Sequence, residues 1–597
     1  MLNCFCKYPL YEVTKDLVDV AMGRKEAELV IKNAKLVNVC THEIIDDTMV
    51  AIVKGRIALV GDATKCIGKN TKVFDAEGKY LAPAFMDGHM HVESSMLTVG
   101  EYARAVIPHG TSGIFFDPHE ICNVLGLKGV KYMIEDSKRT PLKAMLCVPS
   151  CVPAVPGFED TGAEITAKDV KEAMTWPETV GLGEMMNFVG IQNNAEGPHA
   201  IVGETIKADK CPTGHYTIPE TGNGLNAYIA AGMRCDHESV REIDALTKMR
   251  LGMYAQLREG SAWHDLIEVS KAITNHKVDS RYAQLCTDDS HPHTLVGPGH
   301  LDRVVRKAME YGIDFVTAIQ MVTINVATCF QLEHEMGSIT PNKCADMVLI
   351  DDIKTCHITD VFIDGDHVAH DGKLIVEFGP YNYPSDAYNT VHLDKVSAKD
   401  FVIPCDKEKV KVRAISVEGG KTITTEDIKE LKVVNGNIVA DPSQDVLKAF
   451  VFERHHKTGK VGKGFLTGFG IKEGALAQTV AHDAHNLLVV GTNDEDMAVA
   501  ANALIECGGG LVVVQNGKVI AIAQLPVAGL MSEENAQVMS DKIAKIEEAW
   551  KTVGCKLPSP FMTMGIASLA CIPNLRLTNR GIVDCINFKF VDLIVED

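Results

Sequence analysis

No uninterrupted apolar run of transmembrane length occurs in the chain, which argues against a helical membrane protein. The start, MLNCFCKYPLYEVTKDLVDVAMG, lacks a basic segment followed by an apolar one and a cleavage site, so the chain reads as cytoplasmic. Positive charge is in short supply: 59 Lys and Arg stand against 79 Asp and Glu, a formal net charge of −20. That balance argues against a nucleic-acid backbone or an anionic membrane as partner and leaves a small or neutral ligand. Paired cysteines are missing too. The 18 cysteines lie in apolar contexts such as AMLCVPSCVP and LIECGGG, without the CxxC pairs of a structural zinc site or the regular spacing of a disulfide scaffold, and read mostly as buried thiols. GGGLVVVQNG precedes a strand-like run and lacks a GK[ST] ending, so it is not a phosphate loop.

What is present divides into regions. A chain of 597 residues is expected to hold two to four domains. Residues 25–84 read as short strands and turns, among them AELVIKNAKLVNVC and DDTMVAIVKGRIALVG. From 85 to 332 short β-like runs alternate with amphipathic helices. Residues 333–385 are β-rich again and are expected to pair with the first β segment. Residues 400–597 are long enough to form an α/β domain of their own.

Within the central region eight apolar runs end in polar, metal-capable or otherwise reactive positions: MDGHMH, GIFFDPHE, MLCVPSC, VGLGEMMN, CPTGH, GMRCDHES, GMYAQLREG and AQLCTDDSHPH. Eight βα repeats predict a (β/α)8 barrel of the TIM type, whose functional side chains stand at the C-terminal ends of its strands. In an extended strand alternate side chains share a face, so His89 and His91 aim at one point and Met90 points away. Two imidazoles on one strand end suit zinc, manganese or iron. Taken singly, His215 reads as a turn residue, His237 as a helix-start residue and Asp288 as an N-cap. The ordered series His89, His91, Glu184, His215, His237 and Asp288 is hard to explain as caps.

The chain resembles the amidohydrolase superfamily and, within it, the adenine deaminases. The resemblance rests on PAFMDGHMHVESSML, HGTSGIFFDPHEICNVLG, LGEMMN, DHES, CTDDSHP and, downstream, ERHHKTGKVGKGFLTGFGIKEGALAQTVAHDAHNLLVVGTNDEDMA, and it spans nearly the whole chain. Ser290 and the segment YTIPETGNG depart from the family pattern. The resemblance implies hydrolysis of adenine to hypoxanthine and ammonia in purine salvage, with a hydroxide on the metal as nucleophile. It further implies a binuclear divalent centre of manganese or iron, with zinc as a further option. His89, His91 and Asp288 would hold one ion and His215 and His237 the other, with Glu184 bridging; Asp288 would carry the proton. A hydrolase of the same superfamily acting on a cyclic amide or N-acyl substrate is the alternative, although Glu184 stands where many such enzymes have lysine. A homo-oligomer is expected.

Other positions carry two readings each. Asp117, His119 and Glu120 either touch purine or metal or orient those that do. Ser95 either bonds the ring or, with Ser94, caps the following helix. Arg258 contacts the site or forms a surface ion pair with Glu259. His482 and His485 are three apart in a strand-loop-strand pattern, and the tail that carries them is expected to cover or support the site without chemistry of its own.

Overall fold

Eight short parallel strands with helices between them form the centre of the chain. The structure is a computed structural model and describes residues 5–596. The strands are Phe85–His91, Thr111–Phe116, Lys143–Val148, Thr179–Met185, Cys211–Gly214, Cys235–Asp236, Tyr254–Arg258 and Ala283–Cys286, the last continued by Asp288–Asp289. Ala283–Cys286 pairs with the seventh strand, and beyond Thr287 the short continuation pairs with the first, Asp288 opposite Met90 and Asp289 opposite His91. That pairing closes the barrel, and the eight polar-ended runs are its strand ends. Strands such as TSGIFF and KAMLCV are buried at every residue because helices cover them outside and side chains fill them inside.

The closure is fixed from within the first strand. Asp87 accepts hydrogen bonds from the Thr287 N–H at 3.1 Å and the Thr287 hydroxyl at 2.6 Å, tying the eighth strand to the first just below the histidines. Gly88 permits the approach, since a Cβ there would lie 2.8 Å from Gln284 Oε1. Past Thr287 the chain turns through Asp288 at φ 59°, a left-handed conformation that aspartate tolerates better than most residues.

The two β-rich segments form one unit. Tyr80–Pro83 pairs antiparallel with Met347–Asp352, joining both segments in a single nine-stranded ladder. Ile31, Ile52, Ile57, Met347 and Phe362 share one core, as in a small sandwich. The helix Leu10–Ala21, which precedes the expected start of this unit, lays Val13, Leu17 and Val20 on the sheet's other face. The ladder ends at Leu374, and the chain then crosses the barrel surface, where the Tyr383 hydroxyl donates to Asp136 at 3.0 Å.

The tail contains a second nine-stranded sheet, with the helices Asp494–Cys507 and Ala536–Thr552, and a small antiparallel sheet of Leu575–Thr578, Gly581–Asp584 and Lys589–Val591. It sits over the C-terminal ends of the barrel strands. Backbone hydrogen bonds run between Ser532 and both Met96 and Thr98, and His456 donates its Nε2–H to the Thr161 carbonyl at 2.9 Å. No helix among the described residues is long and apolar enough to cross a membrane.

Candidate active site

The period of two on the first strand brings both of its histidines to the eighth. His91 Nε2 lies 3.2 Å and His89 Nε2 3.7 Å from Asp288 Oδ1. His91 Nδ1 is 2.9 Å from the Asp117 carbonyl oxygen. A carbonyl only accepts, so Nδ1 carries the proton and Nε2 is the nitrogen that faces the carboxylates. The side chain of the same Asp117 accepts the Glu184 N–H at 2.8 Å, so one residue orients a histidine and a glutamate together. Gly183 makes this possible, because a Cβ there would stand 2.3 Å from Asp117 Oδ2.

Glu184 is the centre of the arrangement. Its Oε2 is 2.8 Å from His215 Nδ1 and 3.0 Å from His237 Nε2, and its Oε1 is 3.8 Å from His91 Nε2 and 3.4 Å from His119 Nδ1. The His89 and His237 rings stack at 3.8 Å, so the two imidazole sets meet face to face. Burial alone would push the Glu184 carboxyl up, but His215 and His237 hold it well below its ordinary value. Burial and the neighbouring His237 and His91 keep His89 well below the usual imidazole range, as a neutral donor.

These residues fit divalent ions. His89, His91 and Asp288 converge within 4.8 Å, as do His89, Glu184 and His237. His89 Nε2, His215 Nε2 and His237 Nδ1 are buried without a hydrogen-bond partner among the described residues, a state that costs free energy unless something else fills it. Nitrogen and carboxylate oxygen together are the donors that borderline first-row ions take.

Above these donors lies a small cavity of about 70 Å³ that opens toward solvent. Its walls come from two parts of the chain. The barrel supplies the acids, the imidazoles and Trp263, and the tail supplies Thr422, His482, Asp483, Met562, Ile566, Leu569 and Ile572. Trp263 packs with Ile566, Leu569 and Ile572 in one apolar cluster, giving the cavity an apolar wall.

Comparison with known proteins matches residues 80–368 to the amidohydrolase family and residues 421–589 to the adenine deaminase C-terminal domain. An adenine deaminase of Clostridium botulinum (strain 657 / Type Ba4) is 61% identical over 599 residues, covering 100% of both chains. The chain belongs to the adenine deaminase family. An adenine deaminase of Moorella thermoacetica is 49% identical over 98% of this chain and 99% of its own. Among solved structures, molinate hydrolase aligns with 57% of this chain and 95% of its own at 16% identity and a TM-score of 0.42.

For this member of the family, the structure brings His89, His91, Glu184, His215, His237 and Asp288 into one buried group and adds others. His119 lies between Glu184 and the tail, its Nε2 3.7 Å from Asp483 Oδ1. Glu120, 3.8 Å from both His119 Nε2 and His91 Nδ1, completes a further donor group with these two histidines. Burial, reinforced by the charge of Glu93, pushes the Glu120 carboxyl well above its ordinary value.

Two bland readings resolve differently. Arg258 and Glu259 are not a surface pair: both are buried, Arg258 bonds Glu238 and reaches Asp265 and Asp288 at 2.8 Å each, and Glu259 pairs instead with His264 and Arg303. The structure does not bring Ser95 to the cavity. Its hydroxyl donates to the Val92 carbonyl at 2.6 Å, a local turn bond, whereas Ser94 donates to Asp289. The sequence reading did not single out Asp87 or Trp263; it marked Glu238 at a strand end and Asp483 in the covering tail without giving either a role of its own in the site. Glu238, adjacent to His237 in DHES, carried the clearest signal.

Proposed function

We propose that this chain hydrolyses adenine to hypoxanthine and ammonia, in purine salvage in the cytoplasm, with manganese or iron as its native ions. The observation that carries the reading is the Glu184 carboxylate touching both histidine sets on the floor of a cavity whose opposite wall is apolar. His89, His91 and Asp288 would hold one ion, His215 and His237 a second, and Glu184 both. Bound there, the ions supply Lewis acidity that makes water a competent nucleophile near neutral pH.

The rest falls to the chain's own groups. The Trp263, Ile566, Leu569 and Ile572 cluster suits a flat, uncharged ring, and its apolar surface excludes bulk water from the reacting carbon. Arg258 clamps Asp288 Oδ2, leaving Oδ1 directed at the histidine pair. From there Asp288 accepts a proton from the attacking water and returns it to the departing amine, so that one water enters and one ammonia leaves. The tail's His482 and Asp483 extend the polar edge of the cavity beside Asp289 and His119, where ring nitrogens need partners. Purified chain loaded with manganese and given adenine should release ammonia and hypoxanthine in equal amounts. Inactivity on adenine with turnover of a cyclic amide or N-acyl compound would overturn this reading.

A further inference from the structure

The strands that aim histidines at the top of the barrel aim thiols at its lower end. Cys235 stands two residues before His237, and Cys211 four before His215, each opening the strand that leads to that histidine. Between them comes Cys329, the last residue of the helix Ile324–Cys329. The three sulfur atoms lie within 4.8 Å of one another, and each residue is at most 1% exposed. Met86, Met145 and Phe330 belong to the apolar cluster that contains them.

A cation borders this cluster. Arg234, adjacent to Cys235, donates from Nη2 to the Thr328 carbonyl at 3.1 Å, and its buried Nε has no partner among the described residues. Burial pushes the Cys211 thiol well up. Mere packing calls for neither three converging sulfurs nor a guanidinium beside them.

We propose that Cys211, Cys235 and Cys329 form a binding site for a soft monovalent cation of the Cu(I) class, separate from the catalytic cavity. The donor set is sulfur alone, which selects soft ions, and it is a set of three, whereas structural zinc is almost always held by four ligands. Binding displaces the protons of two thiols to solvent and leaves the third as a neutral thiol. The copper keeps its oxidation state, and the net charge of −1 on the ion with two thiolates is matched by Arg234.

The test uses the full chain, manganese-loaded and anaerobic, titrated with Cu(I) in competition with a chromogenic Cu(I) chelator. One equivalent should stay with the protein, X-ray absorption should show copper bound by sulfur alone, and the manganese content should not change. Cys329→Ser and Cys235→Ser should each weaken retention at least tenfold, whereas Cys40→Ser, at an exposed thiol, should retain the wild-type amount. Nitrogen or oxygen ligands on the copper of the wild-type chain would overturn the proposal whether or not the variants fold. So would loss of copper in Cys40→Ser, or tighter sulfur-bound zinc in a parallel zinc titration.

Discussion

Asparagine at Asp288 separates holding an ion from moving a proton. In the structure Asp288 Oδ2 accepts from Arg258 Nη1 at 2.8 Å while Oδ1 faces His91 Nε2 at 3.2 Å, so both oxygens are committed. An amide has one acceptor. If its oxygen stays toward the histidines, its NH2 confronts the guanidinium donor to donor; if it flips, the NH2 points into the ion site. Either way one charge-assisted bond is lost, worth about 1.5–3 kcal/mol, or roughly 10- to 150-fold in ion affinity if the whole loss falls there. Excess manganese can overcome that term, but not the missing proton carrier, whose loss costs about 10²-fold or more. Asp288→Asn should therefore regain its ion at high manganese and remain at least about 10²-fold slow in ammonia release. Asp289 accepts the Ser94 hydroxyl, a bond an amide oxygen keeps, so Asp289→Asn should lose less than about tenfold. Elemental analysis and adenine turnover on both variants decide it. A metal-replete Asp288→Asn within about threefold of wild type, or a slower Asp289→Asn, would refute the assignment.

Gly183→Ala places a methyl 2.3 Å from Asp117 Oδ2 and so displaces the group that orients Glu184; ion affinity should fall about 10–100-fold, measured by manganese titration with the fold checked by circular dichroism. Burial raises the Glu159 carboxyl from 4.5 to about 8, so between those values the folded chain binds a proton that the unfolded chain does not, and stability is lost as pH rises through that window. Glu159→Gln should accordingly raise the melting temperature at pH 8 and leave it unchanged near pH 4.5; equal shifts at both, read by calorimetry, would count against the assignment. Asp160, on the loop after the third barrel strand, accepts from Arg580 Nε at 3.0 Å, Asn579 Nδ2 at 2.6 Å and Lys460 Nζ at 3.2 Å, all in the tail. Asp160→Ala should loosen that docking by about 2–4 kcal/mol, seen as faster proteolysis of the tail and a raised KM for adenine.

The barrel was legible because its signals are local. Each strand is a short apolar run whose last residues are polar, and HMH carries its geometry in the period of two. Glu184 and Asp288 could be placed because they end such runs. What the sequence could not show is how Asp117 divides its labour, its carbonyl on His91 and its carboxylate on Glu184, since both depend on the third dimension of adjacent strand ends. The sequence leaves Arg258 between a site contact and a surface pair with Glu259, and only the fold decides: the seventh strand ends between Glu238 and Asp288, where a charge is stable because three carboxylates surround it.

The tail was the least legible part for a related reason. Its contribution to the cavity comes from separate stretches: Thr422, the His482 and Asp483 turn, and the run from Met562 to Ile572. None of these has a periodicity pointing to a site, and HDAHN by itself resembles a weak metal motif. Only the folded chain sets Asp483 3.7 Å from His119 and packs Ile566, Leu569 and Ile572 on Trp263, a barrel residue some 300 positions earlier. The two halves are therefore unequal in kind. The barrel presents charge and donors fixed by short-range strand geometry, and the tail presents most of the apolar surface that keeps water from them, with His482 and Asp483 at its edge. An apolar wall has no motif because many residues of suitable size and hydrophobicity can form it.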